Sequence, residues 1–248
     1  MYAASRTTLL SLLRERSDPK AKAWWEGYVK QGAPFLGVKM ADVRSSMHAW
    51  HQESVAGTLD QEGQVDLALA LFDGEYTEEK LAGTLFLQEI LLPANALTCG
   101  RDVDRFAGLF AKGRIYDWNV CDWFCVKVLG PLIKREGRPC GRSIASWRDA
   151  HNLWQARASL VAFVPVAGCA EYYPLVETAC QTVIRRPERF AKTAVGWILR
   201  EVSRNDPSFV RRVVTENIEH FSVESLNNAI KTFDKEEKKA YRQLLRNA

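Results

Sequence analysis

Apolar residues recur along this chain about one helical turn apart, the spacing that gathers side chains on one face of a helix. Leu67 and Leu71 follow it, then Leu81, Leu85 and Ile90, then Val176, Cys180 and Ile184, then Leu226, Ile230 and Phe233. Alternation of apolar and polar residues between hairpin turns, the mark of half-buried strands, is nearly absent. Helix starts are marked too. Asp18-Pro19 and Asp206-Pro207 each set an acidic cap before a proline at the first helical position, where its missing N–H costs nothing. The pattern predicts helices near 5–15, 19–32, 40–52, 62–73, 76–91, 99–112, 117–130, 142–150, 151–167, 171–185, 188–204, 207–218, 222–233 and 235–246. Between them lie short connections with Pro or Gly, at LLPAN, LGPL, REGRPCGR and RRPE. No linker interrupts this rhythm, so one domain over residues 1–248 is expected.

Successive helices joined by tight turns are the pattern of an antiparallel helix-pair solenoid, with a repeat near the ~40 residues of HEAT units. Self-similarity between the pairs is weak, so this expectation rests on helix rhythm. A hydrophobic content of 47% supplies a sizeable core. The longest apolar stretch, Leu160 to Ala170, contains Pro165 and is half what a membrane span needs. With no secretion signal at the start, an intracellular protein is expected. None of the six cysteines forms a C-x-x-C pair and there are only four histidines, so free thiols and no metal or other cofactor are expected.

Charge changes the picture more than composition does. The total is +4, but residues 51–110 carry eleven acids against three bases and residues 131–212 fourteen bases against seven acids. A basic second half is the footprint of a polyanion partner, the plainer alternative being scattered solvated charge.

Three segments concentrate candidate chemistry. IYDWNVCDWFC, Ile115 to Cys125, packs two tryptophans, two aspartates and two cysteines into eleven residues. It reads as a metal site, a patch of core, or an aspartate beside an aromatic wall. Trp118 and Asp122 are spaced i, i+4 and share a helix face, whereas Val120, Phe124 and Val128 fall on another that can supply core. Trp123 points about 140° away from Trp118, given ~100° per residue. In the second segment, FAKTAVGWILREVSR, Trp197, Arg200 and Arg204 form one stripe. Such a stripe suits phosphates and a sugar or base, or a half-buried indole under arginine stems. In the third, NLWQARASLVAF, Arg157 stands alone among apolar and small residues. It either pairs with an internal acid or points at a ligand.

These segments, in this order and at comparable separations, resemble the HEAT-like repeat family of alkylpurine DNA glycosylases, the AlkD-like family. WWEGYVKQGAPFLGVKMADVR, Trp24 to Arg44, resembles the family's first helix pair and the loop after it, and GEYTEEKLAGTLFLQEIL, Gly74 to Leu91, also resembles the family. The resemblance implies an all-α, right-handed curved solenoid of helix pairs that acts as a monomer on double-stranded DNA, removing N3- and N7-alkylated purines. It implies that Asp122 is the catalytic aspartate and that Trp118 and Trp197 flank the damaged nucleotide. It implies further that Arg157 and Arg200 hold the DNA backbone and that Tyr28 stands on the lesion side. Arg204 joins the DNA-binding set from the stripe it shares with Trp197. The chain departs from the family at Asn119, where many relatives carry an acid, and at Lys39-Met40-Ala41, where they continue toward a proline. A DNA-binding protein of the same fold without catalysis, recognising bent, branched or damaged DNA, is the alternative reading. A helical scaffold for other proteins is a third.

Overall fold

The apolar stripes read from the sequence become the interior. Leu67, Leu71, Leu81, Leu85, Val176, Cys180, Ile184, Leu226, Ile230 and Phe233 are all buried, and only Ile90 is partly exposed. The structure, a computed structural model, describes residues 2–30 and 32–248. Helices are the only regular elements among the described residues. The chain folds into two compact units, Met1–Val128 and Leu129–Ala248.

The first unit holds α1 (Ala3–Arg14), α2 (Pro19–Tyr28), α3 (Met40–Trp50), α4 (Gln61–Ala70), α5 (Thr77–Phe86), α6 (Cys99–Ala111) and α7 (Trp118–Phe124). α1 packs on α3, α3 on α5 and α5 on α7, giving one row of helices, with α4 laid against α5. Every residue of α5 is buried. Phe124 anchors α7 in this core, met edge-on by Phe72 at 5.7 Å and Phe106 at 5.3 Å. Truncating so central a ring to Ala costs ~3–5 kcal/mol.

Helices α3 and α5 each run on into a wider turn with i→i+5 bonds, His51–Val55 and Leu87–Leu91. Ala56 N donates to His51 O at 2.7 Å and Leu92 N to Leu87 O at 2.9 Å. A third such turn, Cys125–Leu129, follows α7. The three turns begin 36 and 38 residues apart, so the repeat that side-chain identities hide is written in backbone hydrogen bonds.

The second unit holds α8 (Gly130–Glu136), α9 (Arg138–Ala145), α10 (Leu153–Val161), α11 (Tyr173–Val183), α12 (Arg189–Val202), α13 (Pro207–Glu216), α14 (Val223–Ala229) and α15 (Lys235–Asn247). α10, α12 and α14 pack in one row, and α9, α11 and α13 in another. This is the helix-pair layering that the rhythm of the sequence predicts. Helices α12 and α14 pack backbone to backbone at Gly196. A Cβ on Gly196 would stand 2.5 Å from Ser225 O and 3.1 Å from Ser225 Cα, so only glycine fits there.

Several predicted boundaries are corrected. Gly130-Pro131, expected as a connection, is helical: α8 continues without a break from the wider turn Cys125–Leu129, the kind of local irregularity that goes with a proline inside a helix. Pro139 lies in the first turn of α9, where no N–H partner is needed, and this helix starts at Arg138 rather than 142. The helix expected over 151–167 ends at Val161, because Pro165 can neither donate to residue 161 nor avoid its carbonyl. Helix α12 stops at Val202, leaving Arg204 in the turn beyond it. The helix expected over 19–32 is seen as Pro19–Tyr28; Gln31 lies outside the described residues. No helix among the described residues is long and apolar enough to cross a membrane.

Candidate nucleic-acid interface

In the first unit, α7 presents Trp118 and Asp122. Asp117 sets the start of that helix as its N-cap: its Oδ1 accepts from Val120 N at 3.0 Å and the residue is 5% exposed. Burial pushes the Asp117 carboxyl above the usual aspartate range, against the lowering effect of its backbone hydrogen bonds and of Lys80 nearby. Lys80 is itself buried, donating to the carbonyls of Phe72 at 2.8 Å and Gly74 at 2.6 Å. Burial pulls its ammonium below the usual lysine range. Trp118 and Asp122 are both half-buried. One turn separates them on α7, so indole and carboxylate share a face, while Val120, Cys121 and Phe124 point into the core.

The wall is longer than Trp118. Tyr28, at the end of α2, meets Trp118 edge-on at 5.6 Å and 75°. Trp24 stacks on Tyr28 5.1 Å away with planes 8° apart, and Trp25 meets Tyr28 edge-on at 6.0 Å. A loop holds α2 in place. Glu78, in the first turn of α5, accepts from the backbone N–H of Leu36 at 2.9 Å, Gly37 at 2.8 Å and Val38 at 3.1 Å. Asp18 N in turn donates to Gly37 O at 3.2 Å. Gly37 has a φ of 88°, and a Cβ there would fall 2.2 Å from Asp18 O, so this junction admits no side chain. Trp25, Phe35, Val38, Leu81, Asn119 and Trp123 help line a cavity of about 100 Å³ under the loop. Trp123 thus belongs to the packing beneath the wall, as its 140° offset from Trp118 predicts.

In the second unit, α12 presents Trp197, half-buried, with Thr193 one turn before it and Arg200 one turn after. Arg157 reaches this stripe from α10. It is 5% exposed, and its Nη1 donates to Phe190 O at 2.7 Å and to Thr193 Oγ1 at 3.2 Å. Arg200 donates twice to Glu201 Oε1, at 2.9 and 2.7 Å, and to Asn228 Oδ1 of α14 at 3.1 Å. Arg204 pairs with the other oxygen of the same glutamate at 3.3 Å. One carboxylate therefore organises both cations of the stripe.

The structure brings Tyr28 to Trp118, and Arg157, Arg200 and Arg204 to the helix of Trp197. Sequence reasoning missed Trp24, Glu78, Asp117's role as cap, and Glu201. Trp24 and Glu78 sit inside segments quoted for the resemblance, and Glu201 follows Arg200 directly, so the signal was an acid or aromatic in a singled-out stretch. No group of three or more His, Cys, Asp and Glu side chains among the described residues is placed to hold a metal.

The sequence matches the family described as "DNA alkylation repair enzyme" over residues 9–233. No protein of curated annotation matches it. Among solved structures, a "Predicted DNA alkylation repair enzyme from Enterococcus faecalis" superposes with a TM-score of 0.75 over 89% of this chain and 98% of that one, at 18% identity. At that identity the likeness speaks for the fold, and the fold is the all-α one that the helix rhythm predicts. The sequence match goes further and covers nearly all of the chain: this protein belongs to the DNA alkylation repair enzyme family.

Proposed function

We propose that the protein is a monofunctional DNA glycosylase that removes N3- and N7-alkylated purines from duplex DNA, acting as a monomer without cofactor. Such a purine is cationic, and its glycosidic bond is weakened already. When the C1′–N bond breaks, the electron pair leaves with the base, which departs neutral. No general acid is required. The deoxyribose becomes an oxocarbenium cation, water adds at C1′, and a proton is released. What the protein must supply is negative charge near C1′ and a place for the water.

Asp122 is the group for both tasks. The observation that carries this reading is its place one turn from Trp118 on α7, with Tyr28 edge-on to that indole at 5.6 Å. Indole faces beside a cationic sugar add roughly 1–2 kcal/mol each when desolvated. The second unit offers its own DNA-contacting stripe, in which Trp197 meets the DNA and Arg157, Arg200 and Arg204 take backbone phosphates. Glu201 offsets part of the charge of Arg200 and Arg204 while leaving each guanidinium with spare donors.

The test is to incubate the purified protein with duplexes carrying 3-methyladenine or 7-methylguanine. Free base and an uncleaved abasic strand are expected. Salt-sensitive DNA binding with no base released would favour the non-catalytic reading. Affinity indifferent to salt would favour a protein scaffold.

A further inference from the structure

Among the described residues, the large apolar side chains most open to solvent include two rings one turn apart on α2: Trp24, 59% exposed, and Tyr28, 56% exposed. They are neither scattered nor mobile ends. They stack on each other at 5.1 Å and 8°, and Trp25 braces Trp24 edge-on at 4.8 Å. Trp25 is in turn stacked on Phe35 at 5.7 Å, and Phe35 is buried. The exposed pair is therefore held rigid from below while its own surface stays open. An indole packed this firmly yet left in water is a platform without its load.

The surroundings say what kind of load. Gly27 lies between the two rings on α2, and a Cβ there would meet nothing within 4 Å. Gly27 is the penultimate residue of α2, and no packing demand explains a glycine there. It does leave bare backbone beside the rings, room for a flat group to lie close. Lys20, Lys22 and Lys30 are exposed on the same helix and just past its end. Flat aromatic surface flanked by cations is the chemistry that receives an unstacked nucleobase and its phosphates.

We propose that Trp24 is a base-stacking residue: it extends the wall formed by Tyr28 and Trp118 and receives an unpaired base of the DNA next to the site of excision. The inference rests on the glycosylase reading for its location, and on the exposed ring pair for its chemistry. Stacking tolerates any base, because each has a π face, so Trp24 contributes affinity for opened DNA without choosing the lesion.

The experiment compares wild type, Trp24→Ala and Trp24→Phe on two duplexes of one sequence. One is fully paired. The other carries a tetrahydrofuran abasic site opposite 2-aminopurine, whose fluorescence reports stacking. Wild type is expected to quench 2-aminopurine. Trp24→Ala should lose that quenching and about tenfold in affinity for the opened duplex, with little change on the paired one, and Trp24→Phe should retain most of both. Because Trp24 is exposed, thermal unfolding of the variants should match wild type. Quenching and affinity unchanged in Trp24→Ala would overturn the inference, as would an equal loss on both duplexes. So would a wild-type dimer in sedimentation that Trp24→Ala converts to monomer, since the surface would then be covered by a second copy. Release of 7-methylguanine by wild type is measured alongside. If wild type releases the base and Trp24→Ala stacks as before, only the stacking role fails. If wild type releases none and Trp24→Ala loses quenching, the stacking role stands and the glycosylase reading falls.

Discussion

The first unit displays its aromatics, whereas the second ties up its cations. Around α7, Trp24 and Tyr28 are open to solvent and Asp122 stands half-buried on the face of Trp118. Around α12, Arg157 is buried beneath Phe190 and Thr193, and Arg200 and Arg204 share Glu201. The same holds beyond the stripe. Arg186 pairs with Glu188 at 2.7 Å and Arg189 with Glu224 at 2.6 Å. A stretch with a surplus of seven positive charges thus offers fewer available cations than its composition suggests. Net charge measures attraction at long range; which guanidinium meets a phosphate is decided by the local partners.

The comparison can be broken at its packing first. Gly196→Ala forces α14 away from α12 and should destabilise the protein by about 1–3 kcal/mol, read by urea denaturation. Because Trp197 is the next residue, DNA affinity should fall with it. Trp118→Ala should act differently: a loss of tenfold or more in the rate of base release, with a smaller loss of affinity, as expected for an indole that meets the cationic sugar. Trp197→Ala should reduce both. Equal profiles for the two tryptophans would erase the distinction between the units.

Smaller effects sharpen it. Asp117→Ala removes the cap of α7 and should cost ~1 kcal/mol, whereas Asp117→Asn keeps a capping oxygen. Burial raises the Asp117 carboxyl, so the folded protein holds that proton to higher pH than the unfolded chain. Its contribution to stability is complete below the ordinary aspartate pKa of ~3.9 and is lost as pH rises through the raised value. Denaturation midpoints of wild type should therefore fall relative to Asp117→Asn as pH rises from acid to neutral, and the two should converge in acid. Glu201→Gln should be mildest for stability, about 0–1 kcal/mol. Freed of their shared carboxylate, Arg200 and Arg204 should bind DNA a few-fold more tightly and with a steeper dependence on salt.

Much of this was legible in the sequence because helices announce themselves locally. Apolar spacing placed the core positions, and Asp-Pro pairs placed the starts of α2 and α13. Asp117 was legible as the start of α7. Proline misled in both directions: Gly130-Pro131 and Pro139 were read as breaks although both lie in helix, whereas Pro165 was read through although the helix before it ends at Val161. The candidate site was legible where it depends on one helix, as with Trp118 and Asp122. It was not where it depends on contacts between helices. Nothing in the spacing of Trp24 says that its ring stacks on Tyr28 and stays open. Nothing in NLWQARASLVAF says that Arg157 turns to the Phe190 carbonyl 33 residues on.

The account stands most directly on Asp122 as a charge acting on the breaking bond. The decisive measurement is single-turnover release of 7-methylguanine from a duplex saturated with wild type or Asp122→Asn, with the dissociation constant determined on the same preparations. The account predicts dissociation constants within about twofold and a release rate lower by about 10²–10³ for the variant, the scale of removing one electrostatic stabiliser. Equal release rates at saturation would contradict it.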